Sequence, residues 1–318
     1  MPGSYELAFD SRKHGTKILA APLQRRMLHA VPRVLITLGD PAGIGPEVID
    51  AALQAARIPA GFEIEILGDR SAGIPGKPDA RSATAALAAL DEAVRRLRAG
   101  SADAVVTGPV SKEGLQSVGF LFPGQTEYFA AAFGVEDYGM LLTGATLSVG
   151  LATIHEPLAR VSSLLTAERI VRIGQLTAAF LRRRGHAAPR IAVAGLNPHA
   201  GENGAFGDEE IRHILPAIQT LNQSGIALFT GPAVPDAVFR DAAQGRFDAV
   251  IAMYHDQGLI PLKLLDFDTA VNVTLGLPKP RVSPDHGTAF ALAGKHLASP
   301  SSMLHAIHLA CELAAPMA

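Results

Sequence analysis

Short apolar runs recur along this chain, separated by stretches whose alanine, leucine and isoleucine residues repeat at helical spacing. The runs are Arg33–Leu38, Glu63–Leu67, Ala104–Val106, Met140–Thr143, Ser148–Ile154, Ile191–Leu196, Ala249–Met253 and Val271–Leu275. Between them, Ser82–Arg98, Thr166–Arg184, Glu209–Leu221, Asp236–Ala243 and Ser302–Ala314 predict helices, the first two ending in arginine as the helix dipole favours. This alternation predicts an α/β fold around a largely parallel sheet. In such sheets ligands sit beyond the carboxyl ends of the strands. Polar, glycine-rich and histidine-bearing turns occur at those ends in this chain.

Composition narrows the function classes. With 318 residues, 48% of them hydrophobic and 18% charged, the chain can bury a full core as one large domain or two modest ones. A net charge of −2 and the absence of tryptophan provide neither a basic footprint nor a stacking platform for nucleic acid. The single cysteine, Cys311, excludes an internal disulfide or a thiolate cluster and reads as inert core. No apolar run approaches the ~20 residues of a membrane span. Residues 1–30 carry scattered basic groups and no secretory pattern, so a poorly ordered tail on a cytoplasmic protein is expected.

Three of the eleven histidines occupy equivalent places. His155 follows Ser148–Ile154, His199 follows the Ile191–Leu196 run, and His255 follows Ala249–Met253. Three imidazoles can hold a divalent ion and leave a position for substrate, and nitrogen donors suit Zn²⁺, Co²⁺ or Ni²⁺ better than Mg²⁺. His255 is followed by Asp256 and, further on, Lys263, so residues 249–263 form a strand with a concentrated polar tip. Lys263, Asn272 and Arg281 make an anion-binding set, arginine being able to clamp a carboxylate or phosphate by two hydrogen bonds. Thr126 is placed to cap the helix that the turn at 120–127 leads into, Gly276–Pro284 reads as a turn-rich segment, and Asp285–Thr288 reads as a helix start. The Gly39–Glu47 turn has neither the dinucleotide-binding spacing nor that of a P-loop. No nucleophile elbow occurs.

Several longer motifs carry a resemblance: GDPAGIGPE (39–47), TGPVSK (107–112), PGQTEY (123–128), LNPHAGENGAFGDEE (196–210), MYHDQGLIPLK (253–263) and VNVTLGLPKPRVSPDHGTAFALAG (271–294). In this order they resemble the 4-hydroxythreonine-4-phosphate dehydrogenase family of vitamin B6 biosynthesis, from about Arg33 to the C-terminus. The resemblance implies a two-domain α/β/α fold like that of isocitrate and isopropylmalate dehydrogenases, with the active site in the interdomain cleft. It divides the chain into residues 31–119 plus 271–318 and residues 120–270, the second part carrying the metal ligands. It implies a homodimer with shared active sites, NAD or NADP, and one divalent metal (Zn, Co or Mg) per site. His155, His199 and His255 fall on metal-ligand positions. Gln125, Thr126, Lys263, Asn272 and Arg281 fall on substrate positions, and Asp285, His286, Gly287 and Thr288 on a cofactor region. Asp256 or Lys263 would move the proton.

The implied reaction oxidises a phosphorylated hydroxy amino acid and then decarboxylates it. Two departures bear on substrate. Gln125 stands where the family usually has histidine, and the segment between Gly68 and Arg81 is shorter than is typical. They leave room for sister dehydrogenases of phosphorylated sugar acids or of aromatic cis-dihydrodiol carboxylates. From the residues alone, a three-histidine zinc hydrolase or a binding protein without turnover are the readings from other classes.

Overall fold

The computed structural model describes residues 31–55 and 59–316, so the expected tail at 1–30 lies outside the described residues. Its strands are β1 (Arg33–Thr37), β2 (Glu63–Leu67), β3 (Ala104–Thr107), β4 (Gly139–Thr143), β5 (Ser148–Leu151), β6 (Arg190–Ala194), β7 (Leu228–Ala233), β8 (Ala249–Ala252), β9 (Val271–Leu275) and β10 (Arg281–Pro284). The helices are α1 (Gly45–Ala55), α2 (Ala80–Arg98), α3 (Lys112–Ser117), α4 (Gln125–Phe133), α5 (Leu158–Leu164), α6 (Ala167–Arg183), α7 (Leu215–Gln223), α8 (Pro235–Ala243), α9 (His255–Asp266) and α10 (Ser301–Ala314). All ten strands form one sheet, ordered β2-β1-β3-β10-β9-β4-β5-β8-β6-β7, with helices packed on both faces.

Parallel pairing holds in the two wings, but the centre is antiparallel: β10 with β9, β9 with β4, and β4 with β5. These three reversals make the wings run in opposite directions. The carboxyl ends of β5, β6 and β8, which lead to His155, His199 and His255, therefore lie along the edge where β10 begins. Those of β1, β3 and β10 lie along the opposite edge. The expectation of a largely parallel sheet is met in the wings and fails at the join.

Two further expectations are corrected. Gly276–Pro284 is not all turn: its last four residues are β10, completed by β3 on one side and β9 on the other. Its proline-rich approach hides a strand too short to show a period. Asp285–Thr288 does not start a helix, because its backbone serves elsewhere: the Ile44 amide donates to the Thr288 carbonyl at 2.9 Å, and the next α-helix begins at Ser301.

The core differs between the two faces. Beneath α1, α6, α7 and α10 one cluster runs unbroken from Val34 and Ile36 through Val282 and Val273 to Leu141, Ile251 and Ile191. On the other face it divides. One part joins Leu35 and Val105 to Leu90 of α2 and Phe129 of α4, and the other joins Leu142 and Val149 to Phe239 of α8 and Leu262 of α9. The register shows what separates them. Arg281 lies opposite Val105 and Thr274, while Asn272 lies opposite Ser283 and Leu142. Cross-strand partners share a face, so a polar strip of Arg281, Thr274, Ser283 and Asn272 forms the floor of a groove, with α4 on one side and α9 on the other.

The glycine-rich turn after β1 is a packing device. Gly39 has φ +73°, and a Cβ there would stand 2.2 Å from the Pro109 carbonyl oxygen. Only glycine lets this turn lie against the loop after β3, where the Asp40 amide donates to Pro109 at 2.9 Å. Residues 69–78, the shortened segment, fold back over it, the Gly76 amide donating to the Ala42 carbonyl at 2.8 Å.

Candidate active site

Arg281 is the floor's unusual member. It is 3% exposed, yet no carboxylate among the described residues lies within ion-pair distance. Its Nε and Nη2 donate to Thr107 Oγ1 at 3.0 and 2.6 Å, Nη1 donates to Thr274 Oγ1 at 3.2 Å, and Nη2 also donates to Gln125 Oε1 at 3.0 Å. The Phe129 ring lies 5.9 Å from the guanidinium carbon. Burial pushes the guanidinium down to about 10, and the charge of nearby Glu127 acts in the opposite sense. At neutral pH it is still a cation. Desolvating such a charge costs several kcal/mol, and the neutral oxygens around it return only part of that. An anionic ligand would supply the missing counter-charge. Asn272, one pleat along and on the diagonal from Arg281 at about 7–8 Å between the two residues, leaves Oδ1 buried with no hydrogen-bond partner among the described residues.

The first turn of α4 closes one side. Thr126 is not the cap expected of it; Gly124 is the N-cap, and Thr126 is buried in the first turn with Oγ1 3.4 Å from Thr274 Oγ1. Gln125 turns its amide oxygen to Arg281, which leaves its NH₂ free to donate toward the groove.

On the other side, α9 opens with His255. Its Nδ1 is held by Asp256 Oδ1 at 2.7 Å, leaving Nε2 as the outward nitrogen. His155 faces it with ring centroids 5.5 Å apart. Burial, then the charges of Lys112 and His255, push the His155 imidazole below its ordinary value, while Glu127 opposes them. The favoured state is neutral imidazole, the form that donates a lone pair. An open cleft of about 410 Å³ adjoins this end, lined by Glu127, Tyr138, His155, Glu156, Arg169 and Arg172 among others.

Lys263 is eight residues beyond His255 on the same helix, about 12 Å at 1.5 Å per residue. There its Nζ lies 3.1 Å from Asp285 Oδ2. The compact polar tip expected at 249–263 is thus drawn out, His255 at one sheet edge and Lys263 at the other. Asp285 is held by its amide, which donates to Ser302 Oγ at 3.0 Å. His286 keeps Nε2 buried and unpartnered, and burial pushes its imidazole down. Gly287 is exposed beside it, and Thr288 is tied to the glycine-rich turn.

His199 stands apart from the other two histidines. Among the described residues no group of three or more His, Cys, Asp or Glu is close enough to hold a metal ion, so one chain presents the His155–His255 pair and not a triad. The turn that carries His199 is strained. His199, Ala200, Gly201, Glu202 and Asn203 all have φ between 40° and 77°. Left-handed backbone costs L-residues about 1–2 kcal/mol each, and such strain persists where the surroundings enforce it. His155 is also left-handed, at φ 50°.

Sequence reasoning missed Thr107, Thr274 and Glu127. Thr274 was findable, because it alternates with Asn272 on β9 and must share its face. Thr107 and Glu127 lay inside motifs already quoted, but only the register and the α4 packing bring them to Arg281.

Comparison with known proteins fits this geometry. Residues 36–310 match the family described as pyridoxal phosphate biosynthetic protein PdxA. A 4-hydroxythreonine-4-phosphate dehydrogenase from Geobacter metallireducens is 43% identical over 91% of this chain and 97% of its own. A D-threonate 4-phosphate dehydrogenase from Pectobacterium atrosepticum is 39% identical over 88% and 99%. The crystal structure of 4-hydroxythreonine-4-phosphate dehydrogenase from Klebsiella pneumoniae superposes with a TM-score of 0.79 at 37% identity, covering 89% of this chain and 100% of that one. A β-decarboxylating dehydrogenase from Thermococcus kodakarensis, 17% identical with a TM-score of 0.51, shares the fold alone. A profile match over most of the chain and relatives above 40% identity converge: this chain belongs to the pyridoxal phosphate biosynthetic protein PdxA family.

Proposed function

We propose that the chain is a nicotinamide-dependent dehydrogenase that oxidises 4-phosphohydroxy-L-threonine and decarboxylates the product to 3-amino-2-oxopropyl phosphate. The observation that carries this reading is Arg281, a buried cation with no carboxylate partner, in a groove that has the facing His155–His255 pair at one end. Arg281 from below, with Gln125 and Thr126 beside it, would hold an anionic end of the substrate, and Asn272 Oδ1 would accept a hydrogen bond from a substrate donor at the floor. Lys263 of the same chain stands about 12 Å along α9 from His255. It suits a second anionic group, with Asp285 and the adjoining His286–Thr288 segment facing the cofactor.

The residues meet a divalent metal in part. His155 and His255 would hold it, Asp256 fixing the tautomer of His255, and His199 would complete the set across a homodimer with shared sites. A bound ion would supply Lewis acidity at the reacting hydroxyl and at the oxygen that later carries negative charge. In the oxidation the carbinol carbon would give up its hydride to the nicotinamide and its hydroxyl proton to solvent. The carbon–carboxylate bond then breaks, its electron pair remaining on the substrate as an enolate that is reprotonated. Holding the scissile carbon–carboxylate bond perpendicular to the plane of the new carbonyl, so that its electron pair can pass into the carbonyl π system, would be the chain's own contribution to rate.

The domain division belongs to this proposal: residues 31–119 with 271–318 make one lobe and 120–270 the other, α4 reaching back to pack on α2. The dimer has a candidate surface on α9, where Ile260, Leu264 and Phe267 are 66%, 82% and 73% exposed at helical spacing. Leu264→Glu is expected to convert the dimer to monomers in sedimentation and to remove activity with it. A dimer of unchanged affinity would refute that surface.

Gln125 favours a second reading, a dehydrogenase of D-threonate 4-phosphate, because a neutral amide discriminates an amino acid from a sugar acid differently from a titratable imidazole. NADH formation should be measured with both compounds, with and without chelator. The larger kcat/KM names the substrate, and no NADH from either sinks the dehydrogenase reading.

A further inference from the structure

Glu210 is a buried acid that none of the proposed steps uses. It is 3% exposed, and no cation lies within ion-pair distance of it among the described residues. Every hydrogen bond it accepts comes from the start of the His199 turn. Oε1 accepts the Leu196 and Asn197 amides, both at 2.8 Å, and Oε2 accepts Asn197 Nδ2 at 2.9 Å. Asn197 is held a second time by Glu209 Oε2 at 2.8 Å. The turn is shaped around this carboxylate: a Cβ on Gly201 would stand 2.6 Å from Oε2, and one on Gly195 3.1 Å from Oε1. Glu210 also opens the π-helical turn Glu210–Ile214, a wide turn often found at functional sites.

A second strut meets the same backbone. Gln257, in the first turn of α9, donates from Nε2 to the Gly195 carbonyl at 2.7 Å and accepts the Met253 amide on Oε1 at 2.7 Å. The strand end that carries His199 is thereby fixed to the strand end that carries His255.

We propose that Glu210 is a positioning residue: its carboxylate holds the left-handed His199 turn in its strained form, and Gln257 sets that turn relative to His255. This rests on the reading of His199 as part of the active site. A carboxylate is needed because three N–H donors converge on two oxygens. A glutamine has one oxygen, and its NH₂ would face another donor.

The experiment compares Glu210→Gln, Glu210→Ala, His199→Ala and the parent protein, all labelled with carbon-13 in the histidine rings. His199→Ala identifies the His199 resonance. In Glu210→Gln that resonance is expected to shift or broaden, and kcat to fall ten- to a hundredfold with KM for the phosphorylated substrate within about twofold, in line with the usual cost of removing an orienting partner. Glu210→Ala is expected to be equal or worse; if it is unfolded, the glutamine variant alone decides. An unmoved His199 resonance and unchanged kcat in a Glu210→Gln protein that merely melts earlier would overturn the proposal. Full activity in His199→Ala would instead refute the active-site role of His199, while the resonance still reports on Glu210.

Discussion

Arg281→Met is expected to lose most of the enzyme's activity and little or none of its stability. Truncating one partner of a buried, hydrogen-bonded charge contact costs about 2–5 kcal/mol, which is roughly 30- to several-thousand-fold in kcat/KM. The loss should appear in KM as well as kcat, because the anion is held in ground and transition states alike. Stability behaves differently. Arg281 is desolvated without a carboxylate partner, and its donors end on Thr107, Thr274 and Gln125. Removing a buried charge that has no carboxylate partner relieves its desolvation cost, which offsets the cost of leaving those oxygens without a donor. Inorganic phosphate should raise the melting temperature of the parent protein, as any ligand of the folded state does, and leave that of the variant unmoved. A variant that unfolds early, or that still responds to phosphate, would show that Arg281 is structural.

Chelation is the second large effect. Stripping divalent ions should abolish NADH formation, and Co²⁺ or Zn²⁺ should restore it in the parent protein but not in His255→Ala. The expected deficit is about a thousandfold or more, since a metal ion contributes several kcal/mol at a developing oxyanion. Asp256→Asn should fall between the parent and His255→Ala, at about 10- to 100-fold, because Asp256 would act on a bound ion only through the His255 ring that it holds. The visible absorption of bound Co²⁺ provides a readout independent of turnover. Turnover in His255→Ala with metal retained would remove His255 from the ligand set.

Most of the strands and long helices were legible because their periods are strong. The eight apolar runs named in the sequence all overlap observed strands, and Thr166 caps α6 as its Thr-x-Glu start suggests. What the residues concealed was relational. Short β10 lacks a period of its own and exists because β3 and β9 flank it. Thr126 reads as a cap by residue type, but glycine at 124 takes that place and frees the hydroxyl to face β9. His255 and Lys263 are near in sequence and a helix-length apart in space. The left-handed His199 turn could not be foreseen, since only the Glu210 carboxylate and the neighbouring glycines make it tolerable.

The unequal cores on the two faces of the sheet constrain how this molecule can move. A free hinge needs a bare connection between its parts, and here the unbroken cluster under α1, α6, α7 and α10 ties both wings together. The five-rung ladder between β9 and β4 does the same within the sheet. Only the grooved face has slack. Any opening is therefore expected to resemble the bending of a strip glued along one side, the groove widening while the opposite face stays closed. Substrates would enter by such flexing, and ligands that bridge α4 and α9 should stiffen the whole sheet. Amide exchange should slow on β9 and β4 as well as beside the ligand.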